Sequence, residues 1–205
     1  MKIVIVDYGM GNIKSISSTL IYLGVSDVIL SSKYEELAQA DKIILPGVGS
    51  FSQAMKQIVL NKIDLTLADL VMNKKKPLLG ICLGMQLLGM SSTEDGFSKG
   101  LCFIDGVVTL FENPKLDLKI PHVGFNQVNP DANSLLYKNI TGTPDFYFTH
   151  SYKMLSTASI SASMCTYGEK FVASFEVDNI AGVQFHPELS QNNGLKLLQN
   201  FIDRF

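Results

Sequence analysis

Cysteine is sparse here. The chain of 205 residues carries three, Cys82, Cys102 and Cys165, with no Cys-x-x-Cys pair, so neither a disulfide framework nor a structural zinc site organises it. Charge of one sign is also missing. The formal net charge is −2, and the basic run Lys74-Lys75-Lys76 reads as a solvated helix terminus, where lysines suit the dipole; nothing in this balance suggests nucleic acid. Long apolar runs are absent too. None approaches the ~18 residues of a membrane span, and the opening segment turns polar at Asp7, too early for a signal peptide. We expect a cytoplasmic protein. There is no internal repeat, low-complexity tract or linker.

What remains is an ordinary globular composition, 46% hydrophobic and 18% charged, with material for a sizeable core. The length fits one domain over residues 1–205. A buried strand at residues 2–7 runs into Tyr8-Gly9-Met10-Gly11-Asn12. Ile13, Ile16, Leu20 and Leu23 then recur at helical spacing before Gly24. Gly9-x-Gly11 continues with Lys14 where a dinucleotide fingerprint has its third glycine, so we read a tight strand-to-helix turn.

Strands follow at residues 27–31 and 42–45. Ser32-Lys33-Tyr34-Glu35 has the form of a capping box between them, and a helix is expected over 65–73. This alternation predicts a parallel α/β sheet with helices on both faces. From residue 101 onward, β-rich segments at 106–111, 145–149, 159–166 and 171–177 predict an antiparallel extension. A strand at 182–185 and an amphipathic helix through Leu195, Leu198 and Ile202 close the chain.

The chemistry centres on Pro77-Leu-Leu-Gly-Ile-Cys-Leu-Gly-Met-Gln86. An apolar strand ends and a helix begins at Gly80-x-Cys82-x-Gly84, the form of a nucleophile elbow. Either glycine replaced by a larger residue would crowd the strained turn. At the helix start, unpaired N–H groups and the dipole favour a thiolate. Buried packing explains most free cysteines equally well, and the decapeptide does not choose. Cys102 and Cys165 we assign to packing.

A nucleophile needs a base, an orienting acid and an oxyanion hole. Among His122, His150 and His186, the last is the best base: it ends an apolar strand and opens His186-Pro187-Glu188. If that segment is extended, residues two apart share a side, and Glu188 could hold one ring nitrogen while the other faces Cys82. Alone, His-Pro-Glu is more simply a surface turn. His122 and His150 are assigned to packing. Pro46-Gly47-Val48-Gly49 is either a plain turn or the supplier of a Val48 N–H, which with the Leu83 N–H would make the oxyanion hole.

Taken together, Pro46-Gly-Val-Gly-Ser-Phe51, Gly80-Ile-Cys-Leu-Gly-Met-Gln86, Thr149-His-Ser-Tyr152 and Gly182-Val-Gln-Phe-His-Pro-Glu188 resemble the class I glutamine amidotransferases in order and spacing across essentially the whole chain. Asp7-Tyr-Gly-Met-Gly-Asn12 and Pro121-His-Val-Gly-Phe-Asn126 narrow the resemblance toward the glutaminase subunits of imidazole glycerol phosphate synthase. It implies a three-layer, flavodoxin-like fold. It further implies Cys82 as nucleophile, His186 as acid/base, Glu188 as orienter, and Val48 and Leu83 as oxyanion donors. Gly49, Gln86, Glu94, Ser151 and Tyr152 would hold the substrate L-glutamine, with no cofactor or metal.

The resemblance also implies a (β/α)8-barrel cyclase subunit as heterodimeric partner, receiving ammonia in histidine biosynthesis; we expect no synthase domain within 205 residues. Two positions depart from the family pattern. Leu189 follows His-Pro-Glu where a basic residue is usual, and Phe125 replaces a tryptophan. Both are expected on the partner-facing surface, which leaves a paralogous glutaminase serving a surface-sugar amidotransferase as an alternative. A stand-alone cysteine hydrolase and a non-catalytic scaffold are further alternatives.

Overall fold

A computed structural model describes residues 1–112, 118–156 and 160–205. Strand β1 (Lys2–Val6) shows how the chain makes its layers. Side chains alternate across a strand, so Val4 and Val6 enter one apolar cluster while Ile3 and Ile5 enter another. The first cluster packs β1 against α3 (Phe51–Leu60) through Phe51, Ala54 and Ile58. The second packs it against α1 (Ile13–Tyr22) and α6 (Gln191–Arg204) through Ile16, Leu20, Leu197 and Phe201. Three layers result, and each fully buried Ile, Leu or Phe contributes about 1.5–3 kcal/mol.

The remaining elements in the first half are β2 (Asp27–Ser31), α2 (Tyr34–Ala38), β3 (Lys42–Leu45), α4 (Ile63–Leu67), β4 (Leu78–Ile81) and α5 (Leu83–Leu87). They are followed by β5 (Ser91–Ser92), β6 (Ser98–Lys99), β7 (Val107–Leu110), β8 (His122–Asn129), β9 (Asp145–His150), β10 (Tyr152–Leu155), β11 (Ser161–Tyr167), β12 (Glu169–Val177) and β13 (Ile180–Val183). Among the described residues, one sheet has the order β2-β1-β3-β4-β13-β12-β11-β8-β9 and a smaller one the order β10-β7-β5-β6. The first five strands of the large sheet are parallel and the last four antiparallel to their neighbours. This is the expected mixed α/β sheet, with its antiparallel extension in the second half.

Register decides where the chemistry gathers. Leu45 pairs with Gly80, and Gly80 and Ile81 pair with Gly182 and Val183. Three parallel strands therefore end side by side, so the loop after Leu45, the turn at Cys82 and the segment leading to His186 emerge at one carboxyl edge. That edge is where open α/β sheets bind ligands.

Several local expectations are corrected. The capping box does not form. Lys33, not Ser32, is the N-cap of α2 and makes no side-chain cap bond, while the Ser31 hydroxyl accepts the Lys33 N–H at 3.0 Å. The helix expected over 65–73 is α4 followed by a π-helical turn, Ala68–Asn73. The strand expected at 182–185 lies at Ile180–Val183, and Ser159, the start of another, lies outside the described residues. Cys165 is buried as expected, but Cys102 is exposed, at φ 58° in a loop. The lysine run is the exposed helix terminus expected, with Lys74 bonding Asp69 and Tyr34, Lys75 pairing with Asp178 and Lys76 donating to the Ala40 carbonyl. No helix of the described residues is long and apolar enough to cross a membrane.

Candidate active site

Cys82 sits at φ 54°, ψ −113° between β4 and α5, a conformation costing an L-residue about 1–3 kcal/mol. Its N–H donates to the Val183 carbonyl at 2.8 Å, so the neighbouring strand holds the turn in place. A Cβ on Gly80 would come within 2.8 Å of the Met85 backbone, and one on Gly84 would run into the Leu45 carbonyl. The elbow thus exists because two residues lack side chains. Cys82 is only 6% exposed and packs in the second apolar cluster, yet it also lines a pocket. Packing alone gives no reason for a left-handed backbone at a cysteine.

His186 reaches the same edge from β13. Its N–H donates to the Tyr147 carbonyl at 2.8 Å, and the Ser190 hydroxyl donates to its carbonyl at 2.6 Å. The residue itself is extended, but Pro187–Leu189 is a short 3₁₀ turn, not the extended segment expected. Proline favours the first helical position while keeping its predecessor extended. That turn still brings Glu188 to the ring: Oε1 lies 2.9 Å from Nδ1, with side chains 4% and 0% exposed. Since a carboxylate accepts, Nδ1 carries the proton. Burial works against a charged His186 ring, but interaction with the nearby Cys82 and Glu188 outweighs it, and the imidazole is pushed up to about 10. Nε2, the other nitrogen, is buried and has no hydrogen-bond partner among the described residues.

The pocket has a volume of about 330 Å³. Every residue expected to hold substrate or oxyanion lines it: Val48, Gly49, Leu83, Gln86, Glu94, Ser151 and Tyr152. His186 and Glu188 do not line it. Gly49 needs its glycine at φ +96°. Gln86 is buried and donates to the Tyr152 carbonyl at 3.0 Å and to Gln184 Oε1 at 2.9 Å. Glu94 comes from the β5–β6 turn and accepts the Phe51 N–H at 2.9 Å. Burial raises its carboxyl, the Phe51 bond opposes that, and Asp95 adds to it.

Three neighbours had no assigned role. Gln184, wholly buried, donates to Cys82 Sγ at 3.8 Å; period-two alternation from Gly182 to His186 was its signal. Tyr8 donates to the Pro46 carbonyl at 2.6 Å, bracing the Val48 loop, and burial followed by the Cys82 charge raises its phenol. Asn12 precedes α1 without a side-chain cap bond, and its Nδ2 donates to Glu188 Oε1 at 3.5 Å. Tyr8 and Asn12 belong to the Asp7–Asn12 motif that narrowed the resemblance, but no rule of spacing gives them these contacts. His122 and His150 are buried as expected, although His150 also lines the pocket.

A cysteine on a strained elbow, a carboxylate-held histidine and a polar pocket beside the sulfur suit nucleophilic attack on a carbonyl. The model of the family described as "Glutamine amidotransferase class-I" matches residues 4–205. The chain belongs to this family. Proteins similar to it include a Campylobacter jejuni protein named imidazole glycerol phosphate synthase subunit HisH 1, 44% identical over 98% of this chain and 98% of that one. A Vibrio vulnificus protein named imidazole glycerol phosphate synthase subunit HisH 2 is 42% identical over 99% of this chain and 94% of its own length. The fold is shared with the crystal structure of a glutamine amidotransferase from Thermotoga maritima, at a TM-score of 0.68 and 15% identity over 100% of this chain and 97% of that one.

Proposed function

We propose that the chain, acting as one domain over residues 1–205 in the cytoplasm, is the glutaminase subunit of an imidazole glycerol phosphate synthase. In this reading it hydrolyses L-glutamine to L-glutamate and ammonia, and passes the ammonia to a (β/α)8-barrel cyclase partner. The observation that carries it is the strained Cys82 lining the 330 Å³ pocket while also acting on the ring of the Glu188-held His186. The relatives named HisH support the choice of pathway.

The Cys82 thiolate attacks the side-chain amide carbon, and the N–H groups of Val48 and Leu83 stabilise the tetrahedral oxyanion. His186, held protonated at neutral pH by its neighbours, gives a proton to the departing ammonia, leaving a glutamyl thioester. Water then attacks the thioester, losing a proton to His186, and glutamate leaves as the thiolate re-forms. Gly49, Gln86, Glu94, Ser151 and Tyr152 hold the glutamine.

A paralogous reading, ammonia supply to a surface-sugar amidotransferase, is favoured by one observation. Phe125 and Leu189, the two departures from the family pattern, are 47% and 41% exposed, where a different partner could read them. Cys82→Ala tests the chemistry: glutamine-dependent synthesis is abolished and synthesis from ammonium salts is retained, whereas loss of both sinks it. A pull-down tests the pathway. Recovery of a sugar-modifying system instead of the cyclase would overturn it.

A further inference from the structure

His122 and His150 are register partners on β8 and β9, with His122 Nδ1 lying 3.1 Å from His150 Nε2. They are 3% and 7% exposed. His122 is stacked between Tyr167 and Phe148 at ring separations of 4.0 and 4.8 Å. Packing explains the rings, but not the direction of every proton around them.

The proton positions follow by elimination. His150 Nδ1 lies 2.7 Å from the Tyr152 carbonyl, which can only accept, so Nδ1 bears hydrogen. In the neutral ring Nε2 is then an acceptor, and His122 Nδ1 must donate to it. His122 Nε2 is left to accept, and the group 3.3 Å from it is Asn126 Nδ2, a donor. The Asn126 amide is oriented independently, since Nδ2 donates to the Thr166 carbonyl at 3.1 Å and Oδ1 accepts from the Gln127 N–H at 2.8 Å. Were His150 charged, His122 would have to accept at Nδ1 and present Nε2–H to the Asn126 donor. All protons therefore point one way, from Asn126 through His122 and His150 to the Tyr152 carbonyl.

That carbonyl sits at a joint. β9 ends at His150 in the large sheet, and β10 begins at Tyr152 in the small one. Between them Ser151 accepts one backbone bond, from the Phe111 N–H at 3.3 Å. The Tyr152 carbonyl also accepts from Gln86, which is bonded to Gln184 and through it to Cys82. Thr149 to Tyr152 form a wall of the pocket.

Resting on the glutaminase reading, we infer that Asn126, His122 and His150 form a one-way hydrogen-bond relay that sets the Tyr152 carbonyl and the pocket wall around it. His122 and His150 are accordingly positioning residues for substrate glutamine. Burial supports their neutrality, lowering His122 to about 4 and His150 to about 3, the latter opposed by its Tyr152 bond and reinforced by His122 and His186.

Two measurements test the relay. In long-range ¹H–¹⁵N spectra of the wild-type chain at neutral pH, both rings are expected as the Nδ1–H tautomer; either ring as Nε2–H overturns it, whatever the activity. With the cyclase partner in excess, His122→Phe is expected to raise the glutamine KM about tenfold with kcat within about twofold, a loss of uniform binding. His122→Asn can still place an amide N–H where Nδ1 stands and is expected to keep a KM near wild type. Equal KM values for the two variants would refute the relay. A wild type that hydrolyses no glutamine refutes the glutaminase reading instead, and the spectra still decide the tautomers.

Discussion

His186 Nδ1 lies 2.9 Å from Glu188 Oε1, and the second carboxylate oxygen is buried with no hydrogen-bond partner among the described residues. Neither Glu188 oxygen is open to water, so its charge acts mainly on the ring. Glu188→Gln keeps the shape but lets the amide present a donor to Nδ1, disturbing the tautomer. We expect glutamine-dependent kcat to fall about 10²–10⁴-fold, by analogy with the orienting acid of a triad. On the proposed reading, ammonium-dependent synthesis by a complex with the cyclase is expected to be retained.

The titration of the histidines gives stability a shape against pH. His186 is raised from 6.5 to about 10, so its contribution is complete below about pH 6.5 and is lost as pH rises through about 10. His122 and His150 are lowered from 6.5 to about 4 and 3. Below about 6.5 the unfolded chain binds protons that the native rings refuse, so stability falls toward pH 3–4. Urea midpoints from pH 4 to 10 check both limbs. The alkaline fall is expected to flatten in His186→Asn and the acid fall in His150→Asn.

Gly84→Ala is expected to cost about 3 kcal/mol or more, at the upper end of overpacking penalties, because its Cβ would meet the Leu45 carbonyl and not a side chain able to turn aside. Gly96→Ala serves as the contrast. That glycine is at φ +95° with nothing near its Cβ, so about 1 kcal/mol of backbone strain is expected. Denaturant unfolding of both variants checks the difference.

Phe125 is 47% exposed and meets Tyr147 edge-on, with ring centres 5.6 Å apart. If the proposed barrel cyclase is the partner and docks on this face, Phe125→Glu is expected to weaken its binding by about tenfold or more, as loss of an aromatic anchor does, while the thermal midpoint of the isolated chain moves little. Titration calorimetry with the cyclase and a thermal scan together check it.

The elbow was legible in the residues because its cause is local: two glycines and a cysteine between an apolar strand and a helix. The His186–Glu188 pair was legible too, though through a proline-started turn and not the extended segment expected. The roles of Gln184, Tyr8 and Asn12 were not legible, since each depends on a partner far along the chain. Asn12 shows why: its partner Glu188 lies 176 positions away in the chain, and only the fold brings the two together. Cys102 was misread because an apolar neighbourhood in sequence does not guarantee burial in space.

By itself the sequence determined the alternation of strands and helices, the glycine-bounded turn and which side chains are candidates for the chemistry, since these follow from periodicity and side-chain chemistry within a few residues. Only tertiary structure decided that β13 lies beside β4, bringing Gln184 to Cys82 across 102 positions. It also decided that β8 faces β9 with His122 opposite His150. Strand order and register depend on how the whole apolar surface is buried at once, and no local pattern holds that information.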